Sequence, residues 1–191
     1  MKNSIYIFEG LPGSGKTSIC KHLASHGFKT VPEIIYNKNQ IKNQFYFLKS
    51  EELKMARALK LNTRGHKVVM DRSFVSVLAF NYARDKLFGY KSYPKALERM
   101  GAFALNEGLK NKLFFIYMQS PVSVAFDRKR RKRKLNFIER KFWLNENFLS
   151  EMEKYSLHYL KTNFPKRHFV LENRGTYRQI LLEATEAVHN H

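Results

Sequence analysis

The chain has 191 residues, enough for one domain with a substantial core and too few for two comfortable ones. Its 35 Lys and Arg against 16 Asp and Glu leave a formal charge of +19, so its surface draws polyanions: nucleotide phosphates, nucleic acid or acidic lipid. An apolar fraction of 43% with 16 Phe and 10 Tyr excludes a disordered basic tail, and a single cysteine, Cys20, excludes a disulfide framework. The opening residues MKNSIYIFEG hold no apolar stretch long enough for a signal peptide or membrane span, which points to a cytoplasmic, reduced setting with no membrane partner.

Short apolar runs over 4–9, 28–31, 67–70, 113–118 and 168–171 read as strands. Helix-period stretches lie between and after them, over 16–26, 41–63, 74–110 with breaks around Gly89 and Pro94, 121–134, 140–162 and 176–188. Such alternation predicts right-handed crossovers and a mostly parallel five-stranded sheet covered on both faces. No linker or repeat divides the chain, so residues 1–191 read as a single α/β domain.

Between the first strand and the first helix, Gly10-Leu11-Pro12-Gly13-Ser14-Gly15-Lys16-Thr17 fits G-x-x-x-x-G-K-[ST]. Glycines let backbone N–H groups converge on phosphate oxygens, and the helix that follows adds its positive end. Lys16 is placed to bridge the β- and γ-phosphates of ATP, Thr17 to offer a hydroxyl to magnesium, and Ser18 to complete the nucleotide contact. A glycine turn that merely caps a helix is the plain alternative. A phosphate loop implies nucleotide binding but not a reaction.

Three later features bear on the reaction. The stretch from Gln44 to Tyr82 is an aromatic-rich helix, a Gly, a buried-type strand and then Asp71-Arg72-Ser73. Ser120-Pro121 follows an apolar strand, and a helix ending in arginines follows the proline. A long helix then carries Phe148 and Tyr155. With the phosphate loop, this order of elements resembles thymidylate kinases and the related deoxynucleoside kinases over nearly the whole chain. The resemblance implies a three-layer α/β/α fold with strand order 2-3-1-4-5, a helical lid over about 128–139, and transfer of the γ-phosphate of MgATP to a nucleoside or nucleoside monophosphate.

Asp71 ends a strand at the sheet edge where open α/β folds bind ligands, suited to a magnesium ion or the acceptor, and Arg72 can clamp a phosphate with its fork. The family implies the same roles for both; a helix cap at Asp71 and a solvated Arg72 is the bland reading. Glu33, just past the second strand, falls where deoxynucleoside kinases place the carboxylate that takes the sugar hydroxyl proton, though here the order is Pro32-Glu33 rather than Glu-Pro. Lys49 stands near where thymidylate kinases hold the acceptor phosphate with an arginine, and Arg57 is two turns further on. Phe45, Tyr46 and Phe47 are candidates to stack an acceptor base, or simply core.

The run Arg128 to Lys134 is seven basic residues in succession, a self-repelling block that anions neutralise. In the resembled kinases a lid here closes over ATP, and helical spacing puts Arg128, Arg131 and Lys132 on one face with Arg130 and Arg133 on another. A solvated basic surface and a nucleic-acid patch are the competing readings. Asn173 is a candidate for the adenine site, while Thr176 reads as a helix cap. His22 and His26 share a helix face but lack further ligands, and Trp143 and Cys20 read as packing residues. Two other functions stand beside the mononucleotide kinase: a polynucleotide 5′-hydroxyl kinase, which the +19 charge would suit, and a regulatory NTPase with no acceptor. A homodimer is also open.

Overall fold

The computed structural model describes residues 4–33, 44–131, 135 and 139–190. The expected helix start at 41–43, and Lys132, Arg133 and Lys134 of the basic run, lie outside the described residues, as do the side chains of Phe45, Tyr46 and Phe47. The order is β1 (Ile5–Glu9), α1 (Lys16–Ser25), β2 (Lys29–Val31), α2 (Gln44–Thr63), β3 (Val68–Asp71), α3 (Phe74–Phe88), α4 (Tyr93–Leu105) and α5 (Glu107–Lys110). There follow β4 (Leu113–Gln119), α6 (Val122–Arg130), a π turn at Glu139–Trp143, α7 (Glu146–Asn163), β5 (His168–Glu172) and α8 (Tyr177–Asn190). The five strands form one parallel sheet in the order β2-β3-β1-β4-β5, as the sequence led us to expect.

Every residue of the central strand β1 is buried, because helices cover the sheet on both sides and leave no face for a polar alternation. Ile5, Ile7, Met70, Phe115 and Tyr117 pack with side chains of α2, α3 and α7, among them Met55, Phe74 and Leu160. On the opposite face Tyr6, Phe8, Ile116 and Met118 meet Ile19 and Leu23 of α1 and Ile180 and Ala184 of α8. A third cluster, with Leu11, Ala83, Ala125, Phe142 and Phe148, fastens the phosphate loop to α3, α6 and α7. Ala125, before the basic run, and Phe142, well after it, are thereby both tied to the core.

Several boundaries differ from the sequence reading. The expected 74–110 helix is three helices. It breaks at Gly89, which takes a left-handed φ of 69°, and again at Asn106, whose extended backbone ends α4 while its side chain caps α5. The expected break around Gly89 and Pro94 falls between Phe88 and Tyr93, with Pro94 just past it in the first turn of α4, where a missing N–H costs nothing. Asn145 interrupts the expected 140–162 helix by accepting from the Phe148 N–H. Ser73, not Asp71, caps α3, its hydroxyl accepting from Val75 N at 3.2 Å. The helix after Pro121 stops at Arg130, so Arg131 is a cap residue instead of part of a helical face with Arg128, and Lys132, the third residue expected on that face, lies outside the described residues.

Candidate functional site

The 10–17 loop runs from the end of β1 into α1. Gly10, Gly13 and Gly15 all take positive φ, and at Gly10 the demand is absolute, since a Cβ there would come 2.5 Å from the Met118 carbonyl oxygen. No side chain caps α1 and no acid lies in its first turn; Ser18 N already donates to the Gly15 carbonyl at 3.0 Å, which leaves the N–H groups of Lys16 and Thr17 for an anion. Lys16 is 4% exposed and its ammonium donates to the Gly10 carbonyl (3.0 Å), the Leu11 carbonyl (2.8 Å) and Ser14 Oγ (3.0 Å). Burial, then the repulsion of Arg72, pushes the Lys16 ammonium down to about 7, against the pull of Asp71, Glu33 and Glu9. Leu11 and Pro12 are buried; Gly13, Thr17 and Ser18 face outward.

Asp71 ends β3 beside this loop. Thr17 Oγ1 donates to Asp71 Oδ2 at 2.6 Å, while Asp71 Oδ1 is buried without a hydrogen-bond partner. A hydroxyl and a carboxylate so joined, with one carboxylate oxygen unspent, suit a hard divalent cation such as magnesium. Next in the chain, Arg72 alone among the described non-glycine residues has a positive φ, 63°. Such backbone costs about 1–2 kcal/mol and persists only where neighbours enforce it. Here Arg72 N donates to the Phe8 carbonyl at 3.0 Å, and its side chain turns from the loop to Glu33, with Nε 3.0 Å from Glu33 Oε1. Burial alone would raise the Glu33 carboxyl, but Arg72, Lys16, Lys54 and Lys129 outweigh it and hold the group below the usual carboxylate range.

Three partners were missed in the sequence. Glu9 is 1% exposed and accepts from Ser73 N (2.8 Å), Ser73 Oγ (2.6 Å) and Ser76 Oγ, and Ser76 Oγ in turn accepts from Arg72 Nη1 at 3.1 Å. A carboxylate closing an otherwise apolar buried strand, IYIFE, was the available signal. Glu51 and Lys54 of α2 form a buried pair at 3.0 Å, on the stripe that carries Leu48, Met55 and Ala58. Lys49 and Arg57 are instead exposed on the outward side of the same helix and are not brought to this cluster.

The expected lid and base contacts divide similarly. Arg128 Nη1 donates to the Gly13 carbonyl at 2.7 Å, so the end of α6 meets the phosphate loop, and the charge of Lys129 helps hold the Glu33 carboxyl down. Arg131 is exposed, and Arg130 pairs with Asp127 at 3.2 Å. Asn173 donates to the Ser14 carbonyl at 2.6 Å and with Arg128, Gly175 and Tyr177 lines a pocket of 180 Å³ against the loop. Thr176 caps α8 reciprocally with Gln179: Thr176 N donates to Gln179 Oε1 at 2.8 Å, and Gln179 N to Thr176 Oγ1 at 3.3 Å. Among the described residues no group of three or more His, Cys, Asp or Glu is arranged to hold a metal, and no helix is long and apolar enough to cross a membrane.

A phosphate loop, a strand-end acid beside it and the sheet order β2-β3-β1-β4-β5 together define the fold of P-loop nucleoside and nucleotide kinases. The chain is similar to deoxyadenosine kinase from M. mycoides with bound dATP (16% identity, TM-score 0.70, covering 97% of this chain and 99% of that one). It is also similar to thymidylate kinase from Candida albicans (13%, 0.66, 99% and 92%) and to the YorR protein from Bacillus subtilis in complex with phosphorylated GDP (12%, 0.63, 98% and 99%). No protein-family model and no curated protein matches the sequence. At these identities the likeness establishes the fold.

Proposed function

We propose that the protein is a phosphotransferase that moves the γ-phosphate of MgATP to a nucleoside or nucleoside monophosphate. The observation that carries this reading is the divergence at Asp71-Arg72: one side chain accepts a hydrogen bond from Thr17 of the phosphate loop, the next forms an ion pair with Glu33 across the sheet edge. A donor and an acceptor side meeting at one strand end is what in-line transfer requires, because phosphoryl transfer depends on positioning and charge stabilisation. Backbone N–H groups of 10–17 and Lys16 would hold the ATP phosphates, Asn173 and Arg128 would border the base, and Thr17 and Asp71 would hold magnesium. When bound, magnesium would screen the charge on the phosphates.

On the acceptor side, Glu33 orients the attacking hydroxyl and takes its proton, and Arg72 neutralises the transferred group. Arg128, which donates to the Gly13 carbonyl, brings a further positive charge to the phosphates. The charges favour a neutral hydroxyl acceptor over a phosphate. Glu9, Glu33 and Glu51 act on one another there, while Arg72 and Lys54 are already paired. The test is γ-labelled ATP with magnesium, offered in parallel to nucleosides, nucleoside monophosphates and a 5′-hydroxyl oligonucleotide. Label on a nucleoside is the expected result. Label on the oligonucleotide would give the +19 charge a substrate to track, and free phosphate alone would leave a regulatory NTPase.

A further inference from the structure

Resting on the phosphotransferase reading, we infer that Lys54 is a positioning residue. By holding the Asp71 and Arg72 carbonyls on one ammonium, it fixes the bend that sends the Asp71 carboxylate to the phosphate loop and the Arg72 guanidinium to the acceptor.

In an extended strand successive carbonyls point to opposite sides, beyond the reach of a single donor. Lys54 Nζ nevertheless donates to both, at 3.2 Å each, because the left-handed φ of 63° at Arg72 swings the second carbonyl round to join the first. The third ammonium proton goes to Glu51 Oε1 at 3.0 Å. All three donors of the ammonium are thus used, and the two side chains are only 2% and 6% exposed, so water is no substitute. Their pyramidal arrangement is one that a planar guanidinium does not reproduce. Glu51 balances the charge and keeps Lys54 aimed at the strand end.

Removing Lys54 alone would strand a buried carboxylate and risk the fold. The variants are therefore the paired Glu51→Gln, Lys54→Met, which removes both charges, and the single Lys54→Arg, which keeps the charge but not the geometry. Each is read by its crystal structure and by steady-state kinetics of the purified full chain. The expected result is that residue 72 leaves the left-handed region and the Thr17–Asp71 hydrogen bond is lost. With it, kcat falls about a hundredfold, as ångström-scale misplacement does, while affinity for MgATP, set by the 10–17 loop, changes by less than about threefold. A positive φ retained at Arg72 overturns the inference whatever the kinetics. Loss of that φ with kcat unchanged overturns it as well, the pair then being only a buried brace. If the wild-type chain transfers phosphate to no acceptor, the phosphotransferase reading fails, and the crystallographic arm still decides Lys54: a lost bend supports it, a retained bend overturns it.

Discussion

On the phosphotransferase reading, the donor and acceptor sides of the site are built from different materials. The donor side is one continuous loop, residues 10–17, whose contacts are mostly backbone: three positive-φ glycines, carbonyls that hold Lys16 and the uncapped start of α1. The acceptor side is made of side chains from separate elements, with Glu9 from β1, Glu33 from beyond β2, Glu51 and Lys54 from α2 and Arg72 from beyond β3. Backbone chemistry is tied to a fixed spacing, whereas side chains carried in on separate elements can be exchanged singly. On the phosphotransferase reading, the donor side is therefore tied to one ligand chemistry, and the acceptor side is where single side chains would set specificity.

Substitution should separate the two sides. Lys16→Ala is expected to have the largest effect, a loss of about a thousandfold in transfer to every acceptor, because it removes the cation at the transferred group. Near-normal turnover would break the donor assignment. Arg72→Lys keeps a positive charge but loses the fork to Glu33 and Ser76; kcat should fall about a hundredfold while MgATP binding, measured by titration calorimetry, is held. An equal loss of ATP affinity would erase the distinction between the sides.

A smaller effect follows from pH. In the free protein burial pushes Lys16 down to about 7, and phosphates select its charged form. The proton is therefore already present below pH 7 and must be taken up above it. Affinity for nucleotide should weaken as pH rises past 7, by up to about tenfold per unit, with proton uptake visible in buffers of different ionisation enthalpy. Lys16→Ala should flatten that dependence, and an unchanged slope would count against the lysine as its source. Outside both sides, Thr176→Ala removes the α8 cap and should lower stability by about 1 kcal/mol in denaturant titration, with kinetics unaltered.

Legibility in the sequence followed the same division. The alternating apolar runs located all five strands, and the loop was visible from its spacing, because both signals are local. Asp71 and Arg72 were legible as a pair, but not the left-handed backbone that parts them, since a positive φ at arginine has no signature in composition. Lys49 and Arg57 were singled out by distance along the chain, yet the helical phase of α2 turns Glu51 and Lys54 inward instead. Spacing alone does not say which face of a helix meets the sheet. The run from Arg128 read as one block; among its described residues Arg128 donates to the loop, and α6 ends two residues later.

On the phosphotransferase reading, the three loop oxygens around the Lys16 ammonium have a consequence for turnover. They occupy, before any nucleotide arrives, the coordination that phosphate oxygens would take over, so the loop carries its own placeholder. Association becomes a ligand exchange on a cation that is never bare, with the ordering of the loop incurred once, at folding, instead of at each encounter. Departure of the spent nucleotide likewise returns the lysine to satisfied partners, which keeps product release from being a descent into an orphaned buried charge.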